Sequence, residues 1–421
     1  MKRVDYIVYF IKLYNLAWKA AIPFLKKSSR LSNGFDKRNS AAHLGQSDLW
    51  IHAASAGEAY LALEIVKKIQ SKNPHTVLLT ATTAQGKEII DRHDTISQVS
   101  SPLDIRTEWC PFDMPEIIDK AVERIRPSVM VLLETEIWPG LLYSLKKLGT
   151  RIIIVNGRLS PRSFKRFSKT AFLWSRLSPD RILATTEDDM KRFARIFKKA
   201  EVSMMPNIKF DALQLNIPLP SETERVLPAN SPFVVLASIR AEEESRVKYI
   251  LKEVTRLYPN VCIGIFPRHM HRIRHWQKHL DRLEFKWTLK SRLRSSAGTG
   301  SIILWDVFGE LKQAYAHADV ALVGGSLKPL GGQNFVEPAV FGVPTVTGPF
   351  TDDFLWVGPG IFQSGIIFKA GNWRRAASHI VQILEDGPSD KAQRRKSAVE
   401  YIKRHQGGAG IAAKDITRAL D

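Results

Sequence analysis

Short apolar runs alternate along the chain with segments of helical periodicity. In the first half, runs of strand length lie at 48–53, 76–81, 129–133, 152–155 and 182–184. Helices are predicted between them, near 57–72, 115–125 and 187–199. Strands that alternate with helices form parallel βαβ units. The pattern therefore predicts a doubly wound α/β domain over residues 46–220.

The second half of the chain repeats this alternation. Its apolar runs lie at 233–237, 262–266, 302–305, 320–323 and 343–346. Between the halves, residues 215–232 combine four prolines with polar residues, which is typical of a linker. We therefore expect an α/β protein with a second Rossmann-like, doubly wound domain over 221–400. A last helix near 393–420 is interrupted by glycines, and its part at 401–421 can pack on either domain.

The N-terminal segment, 1–45, is both apolar and basic. Between residues 6 and 25 its apolar run is interrupted by Lys12, Asn15 and Lys19, which disfavours a membrane-spanning helix. The apolar positions follow helical spacing at Ile7, Phe10, Ile11, Tyr14, Trp18 and Ile22. Because the segment has nine basic and two acidic residues, we expect an amphipathic helix that lies on an anionic membrane surface. The alternative is a helix that packs on its own domain.

Composition restricts the binding partners. The 421 residues include 62 Lys and Arg against 42 Asp and Glu, a formal net charge of +20, which predicts an anionic partner. Nucleic acid, an anionic lipid surface and a phosphorylated substrate all fit this charge. Nucleic acid is disfavoured because the basic residues are dispersed and no nucleic-acid motif is present. Cys110 and Cys262 lack metal-ligand spacing and are predicted to be buried thiols.

Carboxylates follow two predicted strands of the first domain. Glu58 comes after the run 48–53, among small residues, and a carboxylate at this edge of a sheet can act as a general base. Glu134 and Glu136 follow another strand directly. Lys209 lies near the domain junction, where it can meet a leaving phosphate. The simpler interpretations are a first-turn helix glutamate for Glu58 and a solvated charge for Lys209.

A glycine-rich segment from 318 to 349 indicates a ligand site in the second domain. Its glycines let backbone N–H groups approach an anion closely, at Gly324, Gly325, Gly331 and Gly332. Asn334 is placed to cap a helix that starts near Glu337 and Pro338. Glu337 can accept two ribose hydroxyls. A phosphate cradle beside a carboxylate is typical of a nucleotide site, although similar turns occur in α/β proteins without one.

Polar groups also follow the other predicted strands of the second domain. The candidates are Ser238, Pro267, Arg268 and the turn Phe308-Gly309-Glu310. Arginine presents a planar fork of donors that matches phosphate, so these strand ends are expected to bind an anion.

A basic run in the first domain is the candidate acceptor site. It comprises Arg158, Arg162, Lys165 and Arg166. Such a run can bind a phosphorylated acceptor at an anionic membrane. The alternative is a solvated helix face.

Seven motifs resemble, in the same order, those of the bacterial Kdo transferases, which move 3-deoxy-D-manno-octulosonic acid (Kdo) from CMP-Kdo to a lipid A precursor. They are HAASAGE, ETEIWPGLL, NGRLSPRS, NIKFD, PRH, DVFGEL and VGGSLKPLGGQNFVEPAVFGVPTVTGP. The match extends from about residue 49 to 350. The resemblance implies a GT-B glycosyltransferase fold, with two Rossmann-like domains facing a central cleft, and inversion at the anomeric carbon.

The resemblance also implies roles for residues of this chain. Glu58 matches the proposed general base, while Glu136 and Lys209 match residues thought to stabilise the transition state. The positions implied to bind CMP-Kdo are Ser238, Pro267, Arg268, Phe308, Gly309, Glu310, Asn334, Phe335, Val336 and Glu337. One departure from the family is Gln333, where histidine is common.

Partners and location follow from the same resemblance. We expect CMP-Kdo as the donor, a phosphorylated lipid A precursor of the lipid IVA type as the acceptor in lipopolysaccharide synthesis, and no nucleic acid. The expected location is the cytoplasmic face of the inner membrane. Neither a cofactor nor a metal is expected, and the pairs Asp188-Asp189 and Asp352-Asp353 are interpreted as helix-start or loop residues. A relative that uses another nucleotide sugar is the alternative enzyme.

Overall fold

The chain folds into two α/β units. A computed structural model describes residues 6–27, 32–92, 103–215, 224–229, 231–363, 365–387 and 390–421. Unit 1 comprises Met1–Ala212 and His405–Asp421, and unit 2 comprises Leu213–Arg404. Most of the predicted linker at 215–232 lies outside the described residues.

Unit 1 is built on a seven-stranded parallel sheet. Its strands are β1 (Leu49–Ala53), β2 (His75–Ala81), β3 (Leu103–Trp109), β4 (Val129–Leu133), β5 (Arg151–Gly157), β6 (Arg181–Ala184) and β7 (Glu201–Met204). They lie in the order β3-β2-β1-β4-β5-β6-β7. Its helices are Tyr6–Leu25, Phe35–Arg38, Ala56–Val66, Ala84–Ile90, Pro115–Ile125, Pro139–Leu148, Pro161–Ser168, Ala171–Arg176, Glu187–Ile196 and Gly408–Leu420, with a 3-10 turn at Ile208–Phe210.

Unit 2 repeats the architecture. Its strands are β8 (Phe233–Ile239), β9 (Cys262–Pro267), β10 (Trp287–Leu289), β11 (Ile302–Leu304), β12 (Val320–Val323), β13 (Thr345–Thr347) and β14 (Ile367–Lys369), in the order β10-β11-β9-β8-β12-β13-β14. All pairs are parallel. Its helices are Glu244–Leu257, Ile273–Arg282, Leu311–His317, Val336–Val340, Gly360–Gln363 and Trp373–Glu385, with 3-10 turns at Glu224–Val226, Ala241–Glu243, Met270–Arg272, Lys290–Arg292 and Asp352–Val357; Lys391–His405 leads into unit 1. The predicted α/β class with two parallel sheets is confirmed.

The sequence pattern found the central strands and missed the outer ones. The four strands without a prediction are β3, β7, β10 and β14, and each is an edge of its sheet. A central strand is buried on both faces and reads as a continuous apolar run. An edge strand such as LDIRTEW keeps polar residues that face water, so it gives no such run. The run predicted at 343–346 is also displaced, since the strand there is Thr345–Thr347.

The N-terminal helix, Tyr6–Leu25, differs from its prediction in the face that was expected to lie on a membrane. The six positions expected to face a membrane are all buried or half-buried. Ile7 and Ile11 join the core of unit 1, and the helix packs on Pro115–Ile125 and Pro139–Leu148. The Tyr14 hydroxyl donates to Asp113 Oδ2 at 2.9 Å. This face is therefore a packing face, as the alternative interpretation held.

No helix in the described part of the chain is long and apolar enough to cross a bilayer.

The last helix, Gly408–Leu420, packs on Ala56–Val66 in unit 1. The backbone N–H groups of Gly407 and Ala409 donate to the carboxylate of Asp211, at 2.8 and 3.3 Å. A Cβ at Gly408 would lie 2.2 Å from the Pro206 carbonyl oxygen, so this approach requires glycine. The glycines that interrupt the predicted helix thus allow its return to unit 1.

Candidate active site

Three carboxylates meet at the carboxyl edge of the unit 1 sheet. Glu58 lies in the helix after β1, and Glu134 and Glu136 follow β4, which is the neighbour of β1. Glu58 is 8% exposed. Burial, and then the negative charge of Glu136, raise the pKa of Glu58 to about 7. Sheet order therefore brings Glu58 to two carboxylates that lie 76 and 78 residues away in sequence.

Glu58 also caps its own helix. Ser55 Oγ accepts a hydrogen bond from the Glu58 N–H at 3.3 Å. In return, the Glu58 carboxylate accepts from the Ser55 hydroxyl at 2.9 Å and from the Ala54 N–H at 2.8 Å. This is close to a capping box. Each carboxylate oxygen keeps a second lone pair, so the cap orients the group without preventing proton uptake.

Lys209 pairs with Glu134. Its Nζ lies 3.0 Å from Glu134 Oε1, while Glu136 accepts instead from Trp138 Nε1 at 2.7 Å. Burial raises the pKa of Glu136, and the bond from Trp138 opposes this rise. Glu134 has φ +50°, a left-handed conformation that costs energy for a residue with a side chain. The simple solvated interpretation of Lys209 is thus wrong, because the lysine is held in the carboxylate cluster.

The basic run of unit 1 lies next to this edge. Arg158 follows β5 and is half-buried, and the helix Pro161–Ser168 presents its basic side chains to solvent. Arg162, Lys165 and Arg166 form no ion pair with an acidic residue in the described ranges. Their charge is therefore free to attract an anionic ligand or surface.

In unit 2, sheet order places three predicted donor residues side by side. Ser238, Arg268 and Phe308 follow or end β8, β9 and β11, which are adjacent strands. Phe308 is 87% exposed, and a Cβ at Gly309 would meet no atom within 4 Å. Arg268 is exposed, and Ser238 has φ +54°. An open aromatic ring and an exposed arginine after neighbouring strands suit a base and a phosphate.

The predicted phosphate cradle is partly filled from within the protein. Glu243 is fully buried, and its carboxylate accepts from the N–H groups of Gly325 at 2.5 Å and Leu327 at 3.2 Å, and from that of Ser326. A Cβ at Gly324 would lie 2.5 Å from Glu243 Oε1. These amides are therefore not available to a ligand phosphate, and the prediction is wrong for Gly325, the one of them that it included. In the sequence, only the run of three glutamates at 242–244 could have indicated a buried carboxylate here. The run does not show which backbone amides that carboxylate binds.

The Asn334–Glu337 segment is also only partly exposed. Asn334 Oδ1 accepts from the Val336 N–H at 3.2 Å, but the helix begins at Val336 and its N-cap is Phe335, so the predicted Asn334 cap is wrong by one residue. Phe335 is 1% exposed and Val336 is fully buried, which excludes donor contact through their side chains. Glu337 remains accessible, 3.7 Å from Lys312, and burial raises its pKa.

Three other predicted residues have structural contacts. Pro267 is buried at the end of β9. Glu310 accepts from Trp305 Nε1 at 2.8 Å and pairs with Lys290 at 3.3 Å. Gln333 bonds through its side chain to the Gly332 carbonyl oxygen at 3.3 Å.

A group of potential metal ligands lies elsewhere in unit 2. Glu244, His275 and His279 bring their ligand atoms within 4.8 Å of one another. Arg272 binds both oxygens of Glu244, at 2.6 and 2.9 Å, and Lys248 Nζ lies 2.8 Å from His279 Nε2. A cation there would have to displace two basic side chains. The sequence analysis did not identify this group.

A family model and individual relatives both relate the chain to the same protein family. Residues 26–212 match the family described as 3-deoxy-D-manno-octulosonic-acid transferase (kdotransferase). The 3-deoxy-D-manno-octulosonic acid transferase of Chlamydophila psittaci is 31% identical over 308 residues, 71% of this chain and 69% of the relative. That of Haemophilus influenzae is 27% identical over 374 residues, 85% of this chain and 84% of the relative. A bifunctional glycosyltransferase/methyltransferase of Fusobacterium nucleatum is 27% identical over 400 residues, 90% of this chain, and the chain spans 60% of its length.

Solved structures share the fold. A glycosyltransferase from Rickettsia africae has a TM-score of 0.56 at 11% identity, covering 90% of this chain and 98% of that one. A UDP-GlcNAc 2-epimerase from Neisseria meningitidis has a TM-score of 0.55 at 15% identity, covering 88% and 98%. At these identities the similarity establishes the α/β fold alone, because the same fold carries different reactions.

Proposed function

Because the chain belongs to the family of 3-deoxy-D-manno-octulosonic-acid (Kdo) transferases, we propose that it transfers Kdo from CMP-Kdo to a phosphorylated lipid A precursor of the lipid IVA type. In this proposal the reaction inverts the anomeric carbon, uses no metal ion and has Glu58 as its general base. The observation that supports the base assignment most directly is the raised pKa of Glu58, about 7, where this buried carboxylate meets two half-buried ones.

Glu58 takes the proton of an acceptor hydroxyl, and the hydroxyl oxygen forms a bond to the anomeric carbon of Kdo. The bond from that carbon to the phosphate oxygen breaks, and CMP leaves with its electron pair. A base whose pKa lies near neutral pH is half ionised under working conditions and holds the proton well once it is transferred.

Unit 2 is proposed to hold the donor. Phe308 would stack on the cytosine ring, since its side chain is exposed and its ring is open to a ligand. Arg268 would bind the phosphate, and Glu337 would accept the ribose hydroxyls. The positive charge of Lys209 would stabilise negative charge that develops in the transition state.

We also propose that unit 1 docks on an anionic membrane, at the cytoplasmic face of the inner membrane. The N-terminal helix has a second apolar face, which is exposed: Tyr6, Tyr9, Leu13, Leu16 and Phe24. Its members recur at helical spacing and are 60–74% exposed. Lys12 and Lys19 lie beside this face, and the basic helix Pro161–Ser168 adds charge in the same unit. Apolar surface flanked by lysine is typical of interfacial helices.

The transfer is tested by incubating the protein with a CMP-Kdo generating system and a lipid A precursor. The mass of the lipid product is then measured by mass spectrometry. Lipid mass is expected to increase in Kdo steps. Glu58→Gln, which keeps the size of the side chain, should lower CMP release by roughly 100- to 10,000-fold while stabilisation by CMP is retained. Glu64→Gln, on the same helix, is the matched control. Unaltered turnover in Glu58→Gln would remove the base assignment.

A further inference from the structure

A small cavity opens at the carboxyl ends of β1, β2 and β3. Its volume is about 50 Å³, and its walls include Arg38, His52, Thr82 and Trp138. A site needs roughly 10–15 Å³ of such space for one water molecule, so this cavity has room for a few waters or one small oxyanion. Trp138 is also the donor to Glu136, so the cavity borders the carboxylate cluster.

Arg38 is a buried cation in the wall of this cavity. It is 4% exposed. Its Nε donates to the Cys110 carbonyl oxygen at 3.3 Å, and its guanidinium lies 4.4 Å from the centre of the Phe112 ring. Nη1 is buried and has no hydrogen-bond partner, and among the described residues no carboxylate lies within ion-pairing distance of Arg38. A buried charge without a counterion is costly, so this position favours an anionic ligand.

The other ionisable groups of the cavity wall do not supply that counterion. Burial lowers the pKa of His52 to about 4, so the imidazole is neutral at physiological pH. Asp113 is turned to a helix start, where it accepts from the Gly140 and Leu141 N–H groups at 3.0 and 2.6 Å. Burial raises the pKa of Asp113 to about 7, which halves its charge near neutral pH. The Cys110 thiol is neutral as well, since burial raises its pKa to about 12.

We propose that this cavity is a phosphate subsite in which the Arg38 guanidinium, which lines it, binds the phosphate. Thr82 and Trp138 also line the cavity. The assignment of this phosphate to the acceptor rests on the proposed function, because Trp138 joins the subsite to Glu136, whose charge acts on Glu58, the residue that would deprotonate the acceptor hydroxyl. A phosphate ester held here would fix the sugar relative to the base.

Thermal unfolding of the full chain with inorganic phosphate tests the subsite without catalysis. At constant ionic strength, phosphate at ten times its Kd should raise the unfolding temperature by about 3 °C. Arg38→Met should abolish this rise, whereas Arg124→Met, the same change at an exposed arginine of unit 1, should keep it. An equal rise in Arg38→Met, or none in the unaltered protein, overturns the subsite.

Kinetics test whose phosphate is bound. Inorganic phosphate should compete with the lipid acceptor in the unaltered protein, a measurement that needs no folded variant. Arg38→Met should raise the KM for the acceptor by roughly 10- to 100-fold, with the KM for CMP-Kdo unchanged. Competition against CMP-Kdo alone would overturn the acceptor assignment. If Kdo transfer fails altogether but phosphate still stabilises through Arg38, the proposed function is refuted and the phosphate subsite stands.

Discussion

The ionisation of Glu58 gives a prediction that does not depend on any substrate. Glu58→Gln keeps a side chain of the same size, whose amide oxygen can accept from the Ala54 N–H while its amide N–H donates to Ser55 Oγ, but it cannot ionise. The substitution therefore separates the helix cap from the buried charge. Its effect on stability should depend on pH, whereas loss of the cap alone would not.

The magnitude follows from the raised pKa. The pKa of Glu58 rises from 4.5 to about 7 in the folded protein. Each factor of ten in the ionisation constant corresponds to about 1.4 kcal/mol. Ionising Glu58 therefore costs about 3 kcal/mol more in the folded protein than in the unfolded chain. A carboxyl whose pKa is raised on folding favours the folded protein as long as it is protonated. This contribution to stability is fully present below pH 4.5 and is lost as pH increases through 7. Glutamine does not titrate and loses none of it.

Scanning calorimetry of the full chain at pH 5, 6, 7 and 8 measures this difference. Between pH 5 and 8, Glu58→Gln should gain about 2–3 kcal/mol relative to the unaltered protein, or several degrees in unfolding temperature. Glu64→Gln controls for loss of a carboxylate from the same helix. Parallel pH curves for Glu58→Gln and the unaltered protein would refute the raised pKa and, with it, the argument for a base poised near neutral pH.

Three further predictions address the donor site, the membrane face and the glycine-rich turn. Phe308→Ala should raise the KM for CMP-Kdo about tenfold without changing the unfolding temperature, and an unchanged KM would contradict base stacking. The double change Leu13→Gln and Leu16→Gln should prevent sedimentation with anionic vesicles but leave stability intact, while Ile11→Ala, on the packed face, should cost about 2–5 kcal/mol in urea unfolding. Equal vesicle binding by the double variant and the unaltered protein would exclude this face. Glu243→Ala leaves buried N–H groups without an acceptor and should lower the free energy of unfolding by about 3 kcal/mol or more; a change below about 1 kcal/mol would contradict the contacts described.

Much of the fold followed from local pattern. Val129–Leu133 and Val320–Val323 match the predicted runs at both ends, because a central strand is apolar on both faces. The four edge strands escaped prediction for the converse reason. Glu58 and Glu136 in unit 1, and Arg268 and Phe308 in unit 2, could be named as candidates because parallel strands bring their carboxyl ends to one edge of each sheet; their roles stay predictions.

The N-terminal helix illustrates where local pattern stops. Its apolar residues occupy two faces, and periodicity alone does not tell which of them packs on the protein. Tertiary contacts decide this: Ile7, Ile11 and Tyr14 face unit 1, while Leu13 and Leu16 are exposed. The membrane prediction therefore moves to the opposite face of the same helix.

The sequence by itself determined the two parallel sheets, the family, and the strand ends at which the candidate residues lie, since these depend on periodicity and ordered motifs. Only the tertiary structure decided their partners. Glu243 fills the turn at Gly325, Lys209 pairs with Glu134, and Arg38 is buried with no counterion among the residues that the structure describes. In each case the partner, or its absence, depends on groups far apart in the chain, and the free energy of a buried charge is set by what surrounds it in space.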